Sequence, residues 1–275
     1  MKRLITTLLL TSGLACGSTV DISSGLVGYF PINGNADDAS GNGRNAVVYN
    51  SANTLPDTNR FGVPSSAYRF DLSANGFDPV LWGTGINLAG KSLTIAFWTY
   101  GQFTQSLDDY AGIGVGNIQP GTNPPPDPNP SGKYLHIYAS WEKIRFSFYG
   151  NNLDASSGFL LQDWNHLAFT YDATSGSRNI FLNSQNIGSD IALYGFSGTD
   201  LFTIQGRNGT KIDDVRFYDR ALSSGEINAV YLVPEPSSLA LLVAGMGADG
   251  ETGDNVGGVA GFRGLGDVLN RAAVR

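Results

Sequence analysis

Cysteine is nearly absent from this chain of 275 residues, and histidine is scarce. The single cysteine, Cys16, lies near the N-terminus, and the only histidines are His136 and His166. One cysteine can form no internal disulfide, and two histidines alone make a poor zinc site. A hydrophobic core must therefore hold the folded domain together without covalent cross-links.

Clustered basic residues are also missing. The sequence has 17 Lys and Arg residues against 24 Asp and Glu residues, which gives a net charge of −7. Nucleic-acid backbones are recognised by grouped Lys and Arg side chains, so we exclude a nucleic-acid partner. The acidic residues, which are mostly Asp, suit calcium binding and solubility equally well.

The residue patterns of known catalytic sites are missing as well. Glycoside hydrolysis requires two carboxyl groups about 5 to 9.5 Å apart. The Asp pairs at 37–38, 108–109 and 213–214 are adjacent in sequence, so on a strand their side chains would point to opposite faces. There is no Gly-x-Ser-x-Gly motif, and both histidines lie in aromatic strand patterns. We predict that the chain is not an enzyme; a glycoside hydrolase with carboxylates from different strands is the catalytic alternative.

Glycine and aromatic residues are abundant, with 36 glycines and an aromatic content of 11%. Short runs rich in aromatic and β-branched residues recur between residues 22 and 231, and turn-forming residues separate them. In "IRFSFYG", Ile144, Phe146 and Phe148 alternate with other residues, which indicates a strand with one buried and one exposed face. Ten or more such strands predict two packed antiparallel sheets.

One helix is predicted at residues 223–231, "SSGEINAVY". Ser223 or Ser224 can cap its first turn, and Ile227 and Val230 share one face. We therefore expect a short helix with one apolar face, which Tyr231 also shares.

Five segments of the chain resemble, in order, the motifs of bacterial LamG-like domains. They are "SGLVGYFPINGNADDASGNGRNAV" (24–47), "RFGVPSSAYRFD" (60–71), "SLTIAFWTY" (92–100), "WNHLAFTYD" (164–172) and "IDDVRFYDRALSSGEINAVY" (212–231). This family belongs to the concanavalin A-like lectin/glucanase group. The resemblance implies an all-β, two-sheet antiparallel jelly-roll sandwich, which we place at residues 22–231. It also implies a binding role for sugars or proteins, and often one structural Ca²⁺ ion.

The resemblance also implies ligands for that calcium ion. Asp38 matches the acidic position of the family before Ser-Gly, and Asp213 matches the first acidic residue of "IDDVR". Ca²⁺ takes 6–8 oxygen ligands, which is more than one loop normally offers. The implied set is Asp38 and Asp213 by side chain, with Ser40, Asn42 and Asn45 contributing backbone or side-chain oxygens. The alternative is that these residues only form turns and that Asp213 pairs with a backbone amide.

Exposed aromatic side chains beside polar groups are the expected contacts for a sugar. The candidates are Trp82, Tyr100, Tyr110, Trp141, Tyr149 and Tyr194. Most aromatic side chains in a β-sandwich belong to its core, so the pattern leaves open which of these six face outward.

The first residues, "MKRLITTLLLTSGLACGS", are typical of a secretory signal peptide. Two cations precede an apolar segment that is too short to span a bilayer, and small residues follow it. We predict a signal peptide at residues 1–17, with cleavage after Ala15 or Gly17. Lipid attachment at Cys16 is the alternative.

The segment "VPEPSSLALLVAG" resembles the PEP-CTERM sorting signal of Gram-negative bacteria. Its motif residues are Val233, Pro234, Glu235 and Pro236. The resemblance implies processing by an exosortase-type enzyme and a location in the cell envelope, at the surface or in the extracellular matrix. The system is associated with species that produce exopolysaccharide.

The apolar part of this tail is short. The motif and its apolar run occupy residues 232–248, whereas a membrane span requires roughly 20 apolar residues. Acidic residues follow at once and would be costly in hydrocarbon. We therefore expect only transient membrane contact, and a disordered, glycine-rich end at residues 249–275.

These features predict an exported, non-catalytic binding module for carbohydrate or an extracellular matrix polysaccharide. A structural surface or matrix protein without a small ligand is the alternative.

Overall fold

Two antiparallel β-sheets, packed face to face, form the folded part of the chain. The structure is a computed structural model, which describes residues 20–71, 80–101, 110–116, 129–156, 158 and 163–234. The described residues up to Val233 belong to one compact unit. A second unit begins at Pro234, and all of its residues after Pro234 lie outside the described ranges.

The described residues contain fifteen strands and one helix. The first strands are β1 (Leu26–Phe30), β2 (Val47–Tyr49), β3 (Thr54–Asp57), β4 (Ala67–Phe70) and β5 (Val80–Gly83). They are followed by β6 (Leu93–Tyr100), β7 (Ala111–Val115), β8 (Leu135–Ala139), β9 (Lys143–Ser147) and β10 (Asn152–Ser156). The last are β11 (Trp164–Tyr171), β12 (Ser177–Leu182), β13 (Gln185–Ile191), β14 (Phe202–Gly206) and β15 (Thr210–Tyr218), and then α1 (Ser224–Tyr231).

The eight-stranded sheet has the order β13-β12-β11-β6-β15-β4-β3, and β1 also pairs with β15. The seven-stranded sheet has the order β10-β9-β8-β7-β14-β5-β2. β15 pairs with β4 through its first residues and with β1 through its last ones. Its pairing with β6 shifts register between Asp213 and Arg216. The predicted all-β, two-sheet jelly-roll fold is confirmed.

Aromatic side chains fill the space between the two sheets. Phe146 on β9 and Phe169 on β11 belong to opposite sheets, and their rings meet edge to face with centroids 5.8 Å apart. Phe30 on β1 and Phe202 on β14 make a second contact between the sheets at 5.1 Å. The alternation predicted from "IRFSFYG" is present, since Phe146 and its inward-facing neighbours are buried while Arg145 is partly exposed. Burial of this aromatic surface is the main stabilising contribution to the sandwich.

The predicted helix is also present and packs on the outer side of the eight-stranded sheet. Ser223 caps it, accepting a hydrogen bond from the Glu226 backbone amide, and the Glu226 carboxylate accepts one in return from the Ser223 amide. This reciprocal capping box satisfies amides that a helix start would otherwise leave unpaired. Ile227 and Val230 are buried against the sheet. Within the described residues, no helix combines the length and apolar character that crossing a membrane requires.

A buried arginine joins the two sheets by hydrogen bonds. The Arg178 side chain on β12 is fully buried between the rings of Phe146 and Phe148. It donates to the Asn151 backbone oxygen at 2.8 Å, across the sandwich, and to the Asp190 carboxylate at 2.9 and 2.5 Å. A buried guanidinium is tolerated only when its donors are used in this way.

Replacing Arg178 tests this connection. We expect Arg178→Met to lower the free energy of unfolding by about 3 kcal/mol, because it leaves the Asn151 carbonyl buried without this donor. The matched control is Arg145→Met, which breaks an ion pair on the exposed face of the seven-stranded sheet and should cost less than about 1 kcal/mol. Urea unfolding measures both, and equal losses would contradict a special role for Arg178.

Candidate functional site

The outer face of the seven-stranded sheet, turned away from the other sheet, contains a groove. On β8, Leu135 and Ile137 face the core. Because successive side chains of a strand point to opposite faces, His136 and Tyr138 lie on the outer face. Tyr138 is paired with Gly112 on β7, and Gly112 is paired with Gln205 on β14. A glycine thus lies between two larger outward-facing side chains and leaves a depression between them.

The depression, called the outer groove below, has a volume of about 430 Å³, within the usual range for small-ligand sites. Its polar and aromatic lining residues are Tyr110, His136, Tyr138, Ser140, Lys143 and Gln205. A side chain at Gly112 would encroach on it, because its Cβ would lie 2.9 Å from the Ile137 carbonyl oxygen and 3.5 Å from the Tyr110 ring. The outer groove therefore depends on a glycine at this position.

Neighbouring side chains orient the aromatic lining. The Arg145 guanidinium lies 5.4 Å from the centre of the Tyr138 ring, and the Asp154 carboxylate holds it with hydrogen bonds of 2.6 and 2.7 Å. His136 contacts the Tyr149 ring at a centroid distance of 6.3 Å. Burial lowers the pKa of His136, so its imidazole is uncharged at neutral pH. The groove thus presents rigid rings and hydrogen-bonding groups on one surface.

The six aromatic candidates do not all lie at this face. Tyr110 lines the outer groove, and Trp82 is on the same face, paired with Thr203 of β14. Trp141, in the turn between β8 and β9, and Tyr149, just after β9, are 37% and 44% exposed. Tyr194 packs against the core and donates a hydrogen bond to the Tyr149 carbonyl oxygen at 2.8 Å.

Tyr100 lies on the other sheet. It is next to Lys211, whose Nζ atom is 5.1 Å from the ring centre. Sequence reasoning did not select the other polar and aromatic lining residues of the groove, which are Ser140, Lys143, Gln205, His136 and Tyr138. The last two lie on β8 and face outward. The alternation in "YLHIYAS" was a signal that could have found them, since it places both opposite the apolar Leu135 and Ile137.

The first loop brings four of the predicted calcium ligands together, and the side-chain oxygens of Asp38, Ser40 and Asn45 already have protein partners. Asp38 Oδ1 accepts hydrogen bonds from the amides of Tyr29 and Ser40, and Oδ2 accepts one from the Arg44 amide, at 2.9–3.0 Å. The Asn45 side chain accepts from the Asp38 amide. Partial burial opposes ionisation of Asp38, but the hydrogen bonds from Ser40 and Arg44 outweigh it and lower its pKa. Asn42 donates to Ser40 and to strand carbonyls.

Asp213 is committed to an arginine. Its buried carboxylate accepts a hydrogen bond from Arg60 Nη1 at 2.8 Å, and Arg60 Nη2 bonds Asp214 at 3.1 Å. Arg60 therefore occupies one oxygen of Asp213, Oδ2, and a calcium ion shared by Asp38 and Asp213 stays a prediction. Among the described residues, no group of three or more His, Cys, Asp or Glu could hold a metal ion.

The arginine belongs to a buried polar network beside α1. Burial alone would raise the pKa of Asp214, but Arg216 and Arg60 outweigh it and hold the pKa below its ordinary value. Arg60 also donates to the Val233 backbone oxygen at 3.3 Å, at the start of the predicted sorting motif. Pro234 is exposed. Glu235 and Pro236 lie outside the described residues, as do the predicted signal peptide and the tail segments that follow them.

Comparison with known families identifies the class of this fold. A model described as laminin G type 3, of the concanavalin A-like lectin/glucanases superfamily, matches residues 74–228. The chain belongs to this superfamily. A comparison with curated protein sequences gives no match.

Solved structures with the same fold include binding domains of bacterial toxins. The binding domain of Paraclostridial Mosquitocidal Protein 1 is 16% identical with a TM-score of 0.58, over 77% of this chain and 52% of that one. The Botulinum neurotoxin serotype D binding domain is 15% identical with a TM-score of 0.56, over 76% and 51%. The binding domain of Botulinum Neurotoxin DC, in complex with SialylT, is 16% identical with a TM-score of 0.55, over 77% and 52%. The chain spans about half the length of each, and the likeness shows the fold.

The second histidine leads to a prediction about pH. His166 is buried beside Trp98 and Tyr231, and this burial lowers its pKa to about 3. The unfolded chain binds a proton at this residue below about pH 6.5 while the folded chain does not, so stability falls as the pH drops below that value. Between pH 7 and pH 5 the parent should lose about 2 kcal/mol of unfolding free energy through His166.

The variant His166→Phe keeps a ring beside Trp98 and Tyr231 but cannot be protonated. The unfolding free energy of parent and variant is measured with urea at pH 7 and at pH 5. We expect the loss between these two pH values to be smaller in the variant than in the parent by the amount given above. The same pH dependence in parent and variant would contradict the assignment.

Proposed function

We propose that this chain is a non-catalytic module that binds carbohydrate in the outer groove of its seven-stranded sheet. The observation that carries the proposal is the arrangement of Tyr110 and Tyr138 beside Gln205 and Ser140 in one groove of about 430 Å³. Sugars have apolar ring faces and hydroxyl groups. Aromatic rings contact the former, and amide and hydroxyl side chains form hydrogen bonds with the latter.

The fold gives this proposal further support. The superfamily of the chain includes lectins by its description, and one similar structure is a toxin binding domain in complex with SialylT. The contacts favour binding over hydrolysis. None of the described residues that line the groove is acidic, and nearby Asp154 is held by Arg145. Hydrolysis would require two carboxyl groups flanking the glycosidic bond.

The place of action is a second part of the proposal. The signal peptide at residues 1–17 and the motif at 233–236 support export to the envelope, surface or matrix of a Gram-negative bacterium. There the partner would be a matrix polysaccharide, and an exosortase-type enzyme would process the tail. Carbonate extraction of cell membranes tests the transient membrane contact: full-length protein that resists extraction would contradict it.

Calcium binding stays a prediction for the full set of Asp38, Ser40, Asn42, Asn45 and Asp213. It requires that EGTA lower the midpoint of thermal unfolding and that Asp38→Ala remove the difference. Equal midpoints with and without EGTA would contradict it. The alternative of a structural matrix protein without a small ligand is favoured if no glycan binds.

Substitution in the outer groove tests the binding site. We expect Tyr138→Ala to weaken the affinity for a glycan selected on an array by about tenfold, because central aromatic contacts dominate such interfaces. The matched control is Tyr100→Ala, a partly exposed tyrosine on the outer face of the other sheet, which should bind as the parent does.

Isothermal titration measures the affinities, and an assay for reducing ends on the same glycans measures turnover. Binding without the release of reducing ends supports the proposal. Equal losses in Tyr138→Ala and Tyr100→Ala would contradict the assignment to the groove, and release of reducing ends by the parent would contradict the non-catalytic role.

A further inference from the structure

The described lining of the outer groove contains a lysine and no acidic residue, although the protein is acidic. Lys143 lines the groove from β9, on the same face of the strand as Arg145. Among the described lining residues there is no Asp or Glu. The chain as a whole has a net charge of −7, so the described lining differs in charge from the composition of the molecule.

The acidic residue on the neighbouring strand, Asp154, is already paired with an arginine. Both Asp154 oxygens accept hydrogen bonds from Arg145, which hold the pKa of Asp154 below its ordinary value and make the two side chains a neutral pair. Lys143 adds a weaker, through-space contribution to the same shift. Within the described part of the chain, no ion pair involves Lys143. His136 is uncharged at neutral pH because burial lowers its pKa.

The chemistry of the Lys143 ammonium group favours an anionic group on the ligand. The Arg207 guanidinium lies 5.5 Å from the centre of the Tyr110 ring, beside the groove. An ammonium group has three donors and no acceptor, so it cannot accept a hydrogen bond from a sugar hydroxyl. A carboxylate or sulfate is the partner that satisfies it best, because charge-assisted hydrogen bonds are about twice as strong as neutral ones.

We infer that the outer groove binds an acidic glycan, with a carboxylate or sulfate substituent held by Lys143 and a sugar ring placed against Tyr138. This inference rests on the proposed carbohydrate binding and adds the chemical class of the ligand. A positively charged side chain in a groove attracts an anionic ligand. The acidic residues elsewhere on the protein surface repel that ligand and so favour its binding in the groove.

Three probes separate the ligand classes. The first is an oligogalacturonate, the second is the methyl ester of the same oligosaccharide, which has the same rings without the charge, and the third is dextran sulfate. We expect the parent to bind the oligogalacturonate or the dextran sulfate at least about tenfold more tightly than the methyl ester. The preferred anion distinguishes a uronate from a sulfate ester.

Variants of Lys143 test whether this side chain holds the anionic group of the ligand. Lys143→Gln should lose about tenfold in affinity for the acidic probe and leave binding of the methyl ester unchanged, while Lys143→Arg should retain most of the affinity. The matched control is Lys91→Gln, an exposed lysine in the connection between β5 and β6, which should bind as the parent does. Thermal unfolding of each variant checks that the fold is intact.

The outcomes separate this inference from the proposed function. Equal affinity for the charged and the esterified oligosaccharide, with no effect of Lys143→Gln, overturns the acidic ligand and leaves carbohydrate binding in place. Equal losses of affinity for the acidic probe in Lys143→Gln and Lys91→Gln, or no loss in Tyr138→Ala, mean a diffuse charge effect. Either result also overturns the inference of an acidic glycan in the outer groove. No binding of any glycan overturns the proposed function and this inference together.

Discussion

Burial of the aromatic inner faces of two β-sheets is the interaction on which the rest of this structure depends. Contacts such as Phe146 with Phe169 and Phe30 with Phe202 join strands of opposite sheets, and the chain has no disulfide to replace them. Because side chains alternate along a strand, committing one face to the core also determines which residues face outward. The outer groove is a consequence, since Ile137 inside requires Tyr138 outside.

Charge in the molecule is organised around arginines. Arg178 joins the sheets through the backbone of Asn151, and Arg60 holds the acidic pair at the register shift of β15. A guanidinium has five donors in a fixed plane, so it can satisfy several buried oxygens at once. Asp213 was implied as a calcium ligand by the family resemblance, and Arg60 pairs with one of its carboxylate oxygens. The same chemistry appears at the exposed face, where Arg145 neutralises Asp154 and leaves Lys143 as the charged group in the groove.

Much of the local structure could be predicted from the chain. The strand alternation, the helix with its Ser223 cap and the two-sheet class are all present, because each depends on neighbours a few residues apart. The site was predicted only in part. Tyr110 lines the groove and Tyr100 lies on the other sheet, and this difference follows from the strand order, which is not encoded in the residues of any one strand.

The sequence by itself determined the class of fold, the alternation of buried and exposed residues in strands such as β9, and the capped helix. Only the tertiary structure decided which outward faces meet. Tyr138, Gly112 and Gln205 become neighbours through strand pairing, and Arg60 reaches Asp213 from 153 residues away. Such contacts arise from the packing of distant segments around one core. The energies of these contacts depend on burial and geometry, which the whole fold determines and a short segment of sequence does not.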